Sequence, residues 1–240
     1  MSNTTITPES FNRRSFVYRK LESLSSTWSE NNRTAMVSSI HQPELELSYA
    51  QQLAICDLSY LQRTGFKGAG TCKWFESQGV IIPININHAL LNDNGCLIAR
   101  LGTNDILVLD NLSMETNFAN KLEQQWQQYY SHQEKVCGFI MPRQESHACF
   151  TISGNFAPQM FAKLCAIDLR ANKFDNHMIA QTSLARLGVI IIRHDLDALI
   201  NYIMLIESAS AEYTWDCLVD AMQEFNGQII GTSVLMELAS

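Results

Sequence analysis

The sequence predicts an α+β fold built from two ferredoxin-like halves, each ordered β-α-β-β-α, with antiparallel or mixed sheets and helices on the outer faces. Gly68 and Gly154 lie 86 residues apart, and each ends a β-like run and precedes a helical pattern. The segments IARLG (98–102) and LARLG (184–188) match at the same offset. Because two landmarks share one offset, the chain is expected to contain an internal repeat.

Composition indicates a globular protein that can form a large core without disulfides or metal. A chain of 240 residues buries roughly 70 to 75 per cent of its unfolded surface. The net charge of −7 and the absence of any Lys/Arg cluster argue against a nucleic-acid partner. The seven scattered cysteines have no metal-ligand spacing, and we interpret them as reduced residues of a cytoplasmic protein. No apolar run is long enough for a membrane span, so no membrane partner is expected.

Three regions are predicted along the chain. Residues 1–34 are rich in Ser, Thr, Asn and Glu, which favours an N-terminal arm that is poorly ordered or bound to a partner. Residues 35–145 form the predicted first lobe, and residues 146–240 form the second. A helix at 16–24, a strand at 36–40 and a short helical pattern at 49–55 precede the first copy of the repeat.

The first copy has a strand, a helix, two strands and a second helix. Gly68 and Gly70 interrupt the first strand, and Gly79 closes the first helix. A Gly-Thr-Asn-Asp turn joins the next two strands, and apolar residues at helical spacing mark the last helix. The first strand is predicted at 56–66 and the first helix at 69–78. After a connection at 81–95, strands are predicted at 96–101 and 106–109 and the second helix at 116–130.

The second copy repeats this order and adds a closing strand. Its predicted elements are a strand at 149–153, a helix at 156–166, strands at 179–192 and 202–206, a helix at 212–225 and the closing strand at 229–238. Two halves of this kind are expected to pack face to face around a central crevice.

Several segments resemble the gamma subunit of heterotetrameric sarcosine oxidase. They are CAIDL (165–169), LARLGVIIIR (184–193), TWDCLVDAMQEF (214–225), FKGAGTCKWFESQG (66–79) and NGCLIARLGTNDILVLD (94–110). The last two also resemble the folate-binding region of glycine-cleavage T-protein. The resemblance extends over roughly residues 50–235 and implies a T-protein-like folate-binding fold.

The residues that serve folate chemistry in T-protein relatives are changed here. Those relatives carry an acidic pair where this chain has Ala99 and Arg100, and a guanidinium cannot accept a proton. The family's asparagine corresponds to Asp110, and Ile203 lies near the expected pterin-facing glutamate. Folate chemistry is therefore disfavoured. No cysteine follows Leu169 before Thr182, which also disfavours the branch of the family that repairs iron–sulfur proteins.

Five residues are candidates for a ligand site or an interface. The repeat predicts that Arg100 and Arg186 lie in equivalent strands and face each other across the crevice, as an anion site or an inter-subunit salt bridge. Local pairing of each arginine with a nearby aspartate is the alternative. Asp110, Asn111 and Tyr202 complete the set. No catalytic residue and no metal ligand is predicted.

Two further clusters have simpler structural interpretations. His194, Asp195 and Asp197 are the only local group that resembles metal ligands, but their position between two strands favours a solvated hairpin loop. His147 and Cys149 lie two apart on one strand face, without an oxyanion hole, so nucleophilic catalysis is disfavoured.

The resemblance implies a non-catalytic, gamma-type subunit of a heteromeric flavin-dependent sarcosine (N-methyl amino acid) oxidase or dehydrogenase. Such a subunit is expected to lack turnover alone, to associate with larger flavoprotein subunits or with itself, and to leave flavin to its partners. The alternatives are a tetrahydrofolate-dependent aminomethyltransferase, with tetrahydrofolate as cofactor, and a stand-alone folate- or anion-binding protein.

Overall fold

The computed structural model describes residues 6–31, 33–112, 116–131 and 137–239. The helices are α1 Tyr18–Glu22, α2 Pro43–Gln52, α3 Thr71–Ser77, α4 Phe118–Ser131, α5 Ala157–Phe161, α6 Ala211–Met222 and α7 Ser233–Leu238. The strands are β1 Thr27–Asn31, β2 Thr34–Ser39, β3 Ala54–Asp57, β4 Arg63–Lys67, β5 His88–Leu91, β6 Leu97–Gly102, β7 Asp105–Leu109, β8 Phe139–Met141, β9 His147–Ser153, β10 Ile179–Leu184, β11 Leu187–Arg193, β12 Asn201–Glu207 and β13 Gln228–Ile229.

Two sheets organise the fold. Sheet I has the strand order β5-β6-β7-β4-β8, and sheet II has the order β10-β11-β12-β9-β3-β13. The pairs are antiparallel except for β13 with β3, and β1 and β2 form a separate hairpin. Each unit reads β-α-β-β-β-α along the chain, as β4-α3-β5-β6-β7-α4 and as β9-α5-β10-β11-β12-α6. The two predicted halves are therefore present, and each contains one strand more than expected.

Matching backbone hydrogen bonds define which positions are equivalent. The Gly68 amide donates to the carbonyl of Asn104 at 2.9 Å, and the Gly154 amide donates to that of Ile200 at 2.9 Å. Both glycines have positive φ, +127° and +108°, a conformation that side chains other than hydrogen strongly disfavour. The glycine landmark predicted from the sequence therefore identifies truly equivalent positions.

The two units exchange their outer strands. β3 leads by a short link into β4 of sheet I, yet β3 itself pairs with β9 of sheet II. In the same way β8 pairs with β4 of sheet I and leads into β9 of sheet II. The predicted first lobe, residues 35–145, thus contributes β3 to the sheet of the second lobe, and the lobe boundary itself stays a prediction.

Three hydrophobic clusters stack in layers. One lies between sheet I and helices α3 and α4, and a second lies between the two sheets. The third lies between sheet II and helices α5 and α6, and it also takes Val17 and Leu21 from the predicted N-terminal arm. Around α1, this arm therefore packs on the chain's own core, and its predicted contact with a partner stays a prediction. In the described ranges no helix is long and apolar enough to cross a membrane.

Several predicted elements have different boundaries in the structure. The predicted strand 179–192 is a hairpin, because Ala185 and Arg186 adopt positive φ (49° and 71°) between β10 and β11. The predicted strand 56–66 is divided between β3 and β4 in different sheets. The connection 81–95 contains β5, and the closing strand 229–238 is replaced by the end of β13 and helix α7.

Candidate functional site

A cavity of about 240 Å³ lies between the two sheets, near the ends of β7 and β11. Leucines contribute much of its wall, and polar groups come from the segments that follow these two strands. The lining residues are Leu61, Leu91, Gly95, Leu97, Leu109, Asp110, Asn111, Leu112, His194, Asp195, Leu196, Asp197, Ile203, Leu238 and Ala239. The central crevice expected from the sequence is thus largely filled by side chains.

Asp110 is an acid of this cavity whose pKa is raised. Its Oδ1 accepts a hydrogen bond from the Ala119 amide at 2.8 Å and so caps the N-terminus of α4. Its Oδ2 is buried and has no hydrogen-bond partner among the described residues. Only 4% of the residue is exposed, and burial raises the pKa of the carboxyl to about 6. Protein hydrogen bonds therefore satisfy only one oxygen of the Asp110 carboxyl, and this carboxyl titrates close to neutral pH.

Replacing Asp110 by asparagine tests this burial directly. Because the pKa of Asp110 is higher in the folded than in the unfolded state, the native protein binds more protons than the unfolded chain between these two pKa values. The wild-type protein therefore loses stability as pH rises from about 4 towards about 6. Asparagine keeps an N-cap oxygen but carries no charge. We expect the stability of Asp110→Asn relative to wild type to increase from about pH 4 to about pH 8 in urea denaturation. A stability difference between Asp110→Asn and wild type that does not change with pH would contradict the raised pKa of Asp110.

Asn111 holds the turn at the mouth of the cavity. Its Nδ2 donates to the Asn94 carbonyl at 2.9 Å. Asn92 closes the same turn, because its Oδ1 accepts hydrogen bonds from the amides of Asn94 and Cys96. Asp110 and Asn111 therefore both line one cavity, although Asn111 uses its side chain for the fold.

The segment after β11 forms the opposite wall. Burial lowers the pKa of His194 to about 4, and the stacked His177 ring adds to this shift while Asp195 opposes it. Asp195 forms a short ion pair with Arg193 at 2.6 Å, with both side chains largely buried. Within the described part of the chain, no group of three or more His, Cys, Asp or Glu residues is arranged to hold a metal ion.

Arg100 does not point a free guanidinium into the cavity. Its Nη1 donates to the carbonyls of Pro83 and Ile84 at 3.0 and 2.6 Å, and its Nη2 donates to that of Thr103 at 3.1 Å. These bonds fix the loop that precedes β5. Since its donors are engaged by backbone carbonyls, Arg100 has a structural role in this arrangement.

The predicted equivalence of Arg100 and Arg186 is wrong. Arg186 is exposed in the turn between β10 and β11, whereas Arg100 lies within β6. The residue equivalent to Arg100 is Arg193, because the Asn87 amide donates to the Arg100 carbonyl and the His177 amide donates to the Arg193 carbonyl, both at 2.8 Å. The five-letter match was misleading because it aligned a strand with a turn.

Arg193 repeats the role of Arg100 in the second unit. Its Nη1 donates to the carbonyls of Ala171 and Phe174, at 3.1 and 2.6 Å, in the loop that precedes β10. Each unit therefore uses one arginine to fix the loop before its first hairpin strand. The charge-assisted bonds to carbonyls explain why these two arginines are present.

Tyr202 lies on the other face of sheet II, away from the cavity. It is fully buried, its hydroxyl donates to the Leu169 carbonyl at 2.5 Å, and burial raises its pKa to about 12. The neighbouring Ile203 lines the cavity instead. An aliphatic side chain thus occupies the wall where the resemblance places a pterin-facing glutamate.

The pKa values of His147 and Cys149 are shifted in opposite directions. Burial and the nearby Arg143 lower the pKa of His147 to about 4, while burial raises the pKa of Cys149 to about 11. An imidazole this weakly basic does not deprotonate a thiol this weakly acidic, so the two residues do not form an activated nucleophile.

Arg63 is a key residue that the sequence did not reveal. It is 2% exposed at the point where the two exchanged strands leave their sheets. Its guanidinium donates to the backbone carbonyls of Ser59 and Leu61 in one link, of Gln144 in the other, and of His147 at the start of β9. No local pattern signals this role, since the partners come from segments about eighty residues apart.

Comparison with known proteins shows the fold. Neither family models nor curated protein sequences match this chain. A chain of heterotetrameric sarcosine oxidase from Corynebacterium sp. U-96 matches with a TM-score of 0.64 and 19% identity, over 89% of this chain and 96% of that one. The glycine cleavage system aminomethyltransferase T from Bartonella henselae matches with a TM-score of 0.72 and 11% identity, over 95% of this chain.

The chain spans only 62% of the length of that aminomethyltransferase. At these identities the likeness establishes the architecture alone. The protein has the T-protein-like fold that the sequence predicted, with its two units packed sheet against sheet.

Proposed function

We propose that this chain is a non-catalytic subunit of a cytoplasmic, heteromeric flavin-dependent oxidoreductase that acts on sarcosine or a related N-methyl amino acid. The likeness to a sarcosine oxidase chain supports this choice, because it covers 96% of that chain, whereas the aminomethyltransferase is matched over 62% of its length. In this proposal the flavin and the oxidation chemistry belong to larger partner subunits.

The cavity favours a structural role over folate chemistry. Its volume of about 240 Å³ is below the roughly 300 to 1,000 Å³ of typical ligand pockets. Ala99 is buried between the sheets where T-protein relatives carry an acid, and Arg100 is engaged by backbone carbonyls. Ile203 lines the wall expected to carry a carboxylate. These residues do not fit tetrahydrofolate, so we assign it no role in this chain.

One surface feature carries the proposal. Residues 80–87, here called the isoleucine loop, expose Ile81 and Ile84 by 75% and 91%, and Ile86 lies beside them. The whole stretch 79–91 contains no charged residue. Interface centres are depleted of charge in the same way, and large exposed apolar patches mark sites of association.

The isoleucine loop is also preorganised. Arg100 holds the carbonyls of Pro83 and Ile84, so the loop keeps its shape without a partner. The equivalent loop of the second unit buries Phe174 in the core and exposes Ile167 by 41%, less than the isoleucine loop exposes Ile81 and Ile84. A fixed apolar surface binds at a lower entropic cost than a flexible one. We therefore assign the isoleucine loop as the contact with a larger subunit.

Ile84→Asp tests this contact. Since Ile84 is almost fully exposed, the melting temperature is expected to stay unchanged, whereas a buried, unpaired carboxylate at the interface should weaken binding by at least about tenfold. The measurement is the amount of larger, flavin-carrying chains recovered with the tagged protein from its native cell. Tyr213→Asp, at an exposed position on α6, is the matched control and should recover wild-type amounts. Equal recovery with both variants would exclude the isoleucine loop as the contact.

A further inference from the structure

The cavity between the two sheets has acidic walls. Asp110 comes from the first unit, after β7, and Asp195 and Asp197 come from the second unit, after β11. Neither Lys nor Arg is among the described residues that line the cavity. Asp195 is paired with Arg193, whereas Asp110 and Asp197 form no ion pair with any residue in the described ranges. The described chain therefore leaves the charge of two carboxylates at this cavity unbalanced.

Two polar atoms on opposite walls of the cavity also lack partners. Asp110 is 4% exposed. Its Oδ1 is engaged by the N-terminus of α4, so Oδ2 is the oxygen that stays without a hydrogen bond in the described part of the chain. The His194 Nδ1 is likewise buried and has no partner there. Buried polar groups are nearly always hydrogen-bonded, so two such atoms at one cavity indicate a missing partner.

Both atoms require a hydrogen-bond donor. An ionised carboxylate can only accept hydrogen bonds. Burial lowers the pKa of His194 to about 4, so its ring is neutral at neutral pH and has one nitrogen that accepts a hydrogen bond. In the tautomer with the proton on Nε2, the buried Nδ1 is that acceptor. The N–H groups of a cation suit both walls, because they donate hydrogen bonds and balance the carboxylate charge.

The remaining wall of the cavity is apolar and limits the size of the occupant. Leucines of both units line it, among them Leu97 and Leu196. Because a water molecule occupies about 30 Å³ in the liquid, a cavity of about 240 Å³ admits an occupant of about eight non-hydrogen atoms. An alkyl group buries apolar surface against such walls, whereas a hydrated metal ion does not. A small organic cation therefore fits the charge, the unpaired acceptors and the apolar walls together.

We propose that the cavity binds a small alkylammonium ion between the two units. Its N–H groups pair with the Asp110 carboxylate and the His194 ring, and its alkyl group lies against the leucines. The bound ion thereby links the ends of β7 and β11 and stabilises the packing of the sheets. A zwitterionic amino acid fits less well, because the described lining has no base for its carboxylate. The site is separate from the isoleucine loop, and its occupancy does not depend on the oxidoreductase assignment.

Saturation-transfer NMR of the full-length chain tests the proposal with n-propylammonium chloride as the probe. We expect saturable transfer of signal to the propyl protons at millimolar concentrations. n-Propanol, which has the same chain length but no charge, and sarcosine, which adds a carboxylate, should show no saturable binding. In thermal denaturation, n-propylammonium chloride should raise the melting temperature above that in the same concentration of KCl. No binding of the probe, saturable binding of either control compound, or equal melting temperatures in the two salts would overturn the proposal.

One acid-to-amide variant at the cavity and one outside it identify the carboxylate that binds the ion. Asp110→Asn keeps the cap oxygen of α4 and is expected to weaken n-propylammonium binding by at least about tenfold, because it removes the paired charge. Asp220→Asn removes an equal charge from an exposed position on α6, on the other face of sheet II, and should bind the probe as wild type does. Melting temperatures without the probe check that both variants are folded. If the folded Asp110→Asn variant binds as tightly as wild type, or if both variants lose binding equally, the proposal is wrong.

Discussion

Replacing Arg63 with leucine is expected to lower the free energy of unfolding by about 4 kcal/mol. The guanidinium is almost completely buried and donates to four carbonyls: two in the link from β3 to β4, one in the link from β8 to β9, and that of His147, the first residue of β9. Leucine would fill part of the volume but would remove all four of these hydrogen bonds. Among the described residues only the Ser59 carbonyl has other side-chain donors, of which the Gln144 amide lies at 3.1 Å. Because the two links exchange strands between the sheets, the loss should affect both units together.

Urea denaturation at equilibrium measures this effect. Arg63→Lys should fall between wild type and Arg63→Leu, since an ammonium keeps the charge but cannot reach four acceptors in one plane. Arg186→Leu is the matched control, because Arg186 is exposed in a turn, and its stability should equal that of wild type. A small loss in Arg63→Leu, similar to that of the control, would show that the links do not depend on this residue.

Gly154→Ala is expected to destabilise the protein by about 3 kcal/mol or more. The residue has a φ of +108°, and an added Cβ would lie 2.4 Å from the carbonyl oxygen of Gln52, which is backbone and cannot move aside. Gly188→Ala has open space around the new methyl group and should be nearly neutral. Thermal and urea denaturation of the two variants compare them under one condition.

The equivalent position in the first unit gives an internal check on this prediction. A Cβ at Gly68, with φ of +127°, would lie 2.2 Å from the carbonyl oxygen of Cys137. Gly68→Ala should therefore be at least as damaging as Gly154→Ala. If alanine is tolerated at both sites, the close approach of each turn to the segment that leads into the outer strand is not needed for the fold.

The elements that the sequence predicted well are those with a local signal. The Gly68 and Gly154 turns and helices α4 and α6 depend on backbone conformation or apolar spacing, which a sequence displays directly. The hairpin at 185–186 was missed because Ala and Arg adopt positive φ there without Gly or Asn. The exchange of β3 and β8 was also missed, since pairing between distant strands leaves no local pattern.

At the candidate site, Asp110 and Asn111 follow strand β7, whose pattern is clear in the sequence, and both line the cavity. Their role as ligand or interface residues stays a prediction. Arg100 and Arg186 were paired from a five-letter match, whereas hydrogen bonding makes Arg193 the equivalent of Arg100. Arg63 could not be anticipated, because its importance comes from carbonyls of two separate links.

The most direct test of the proposed subunit role is to purify the tagged chain from its native cell and add sarcosine without oxygen. The proposal predicts that larger, flavin-containing chains are recovered with it, and that sarcosine bleaches their flavin absorbance. The separately produced chain should contain no flavin and show no turnover. Recovery of the chain alone, or of an assembly without flavin, would contradict the proposal.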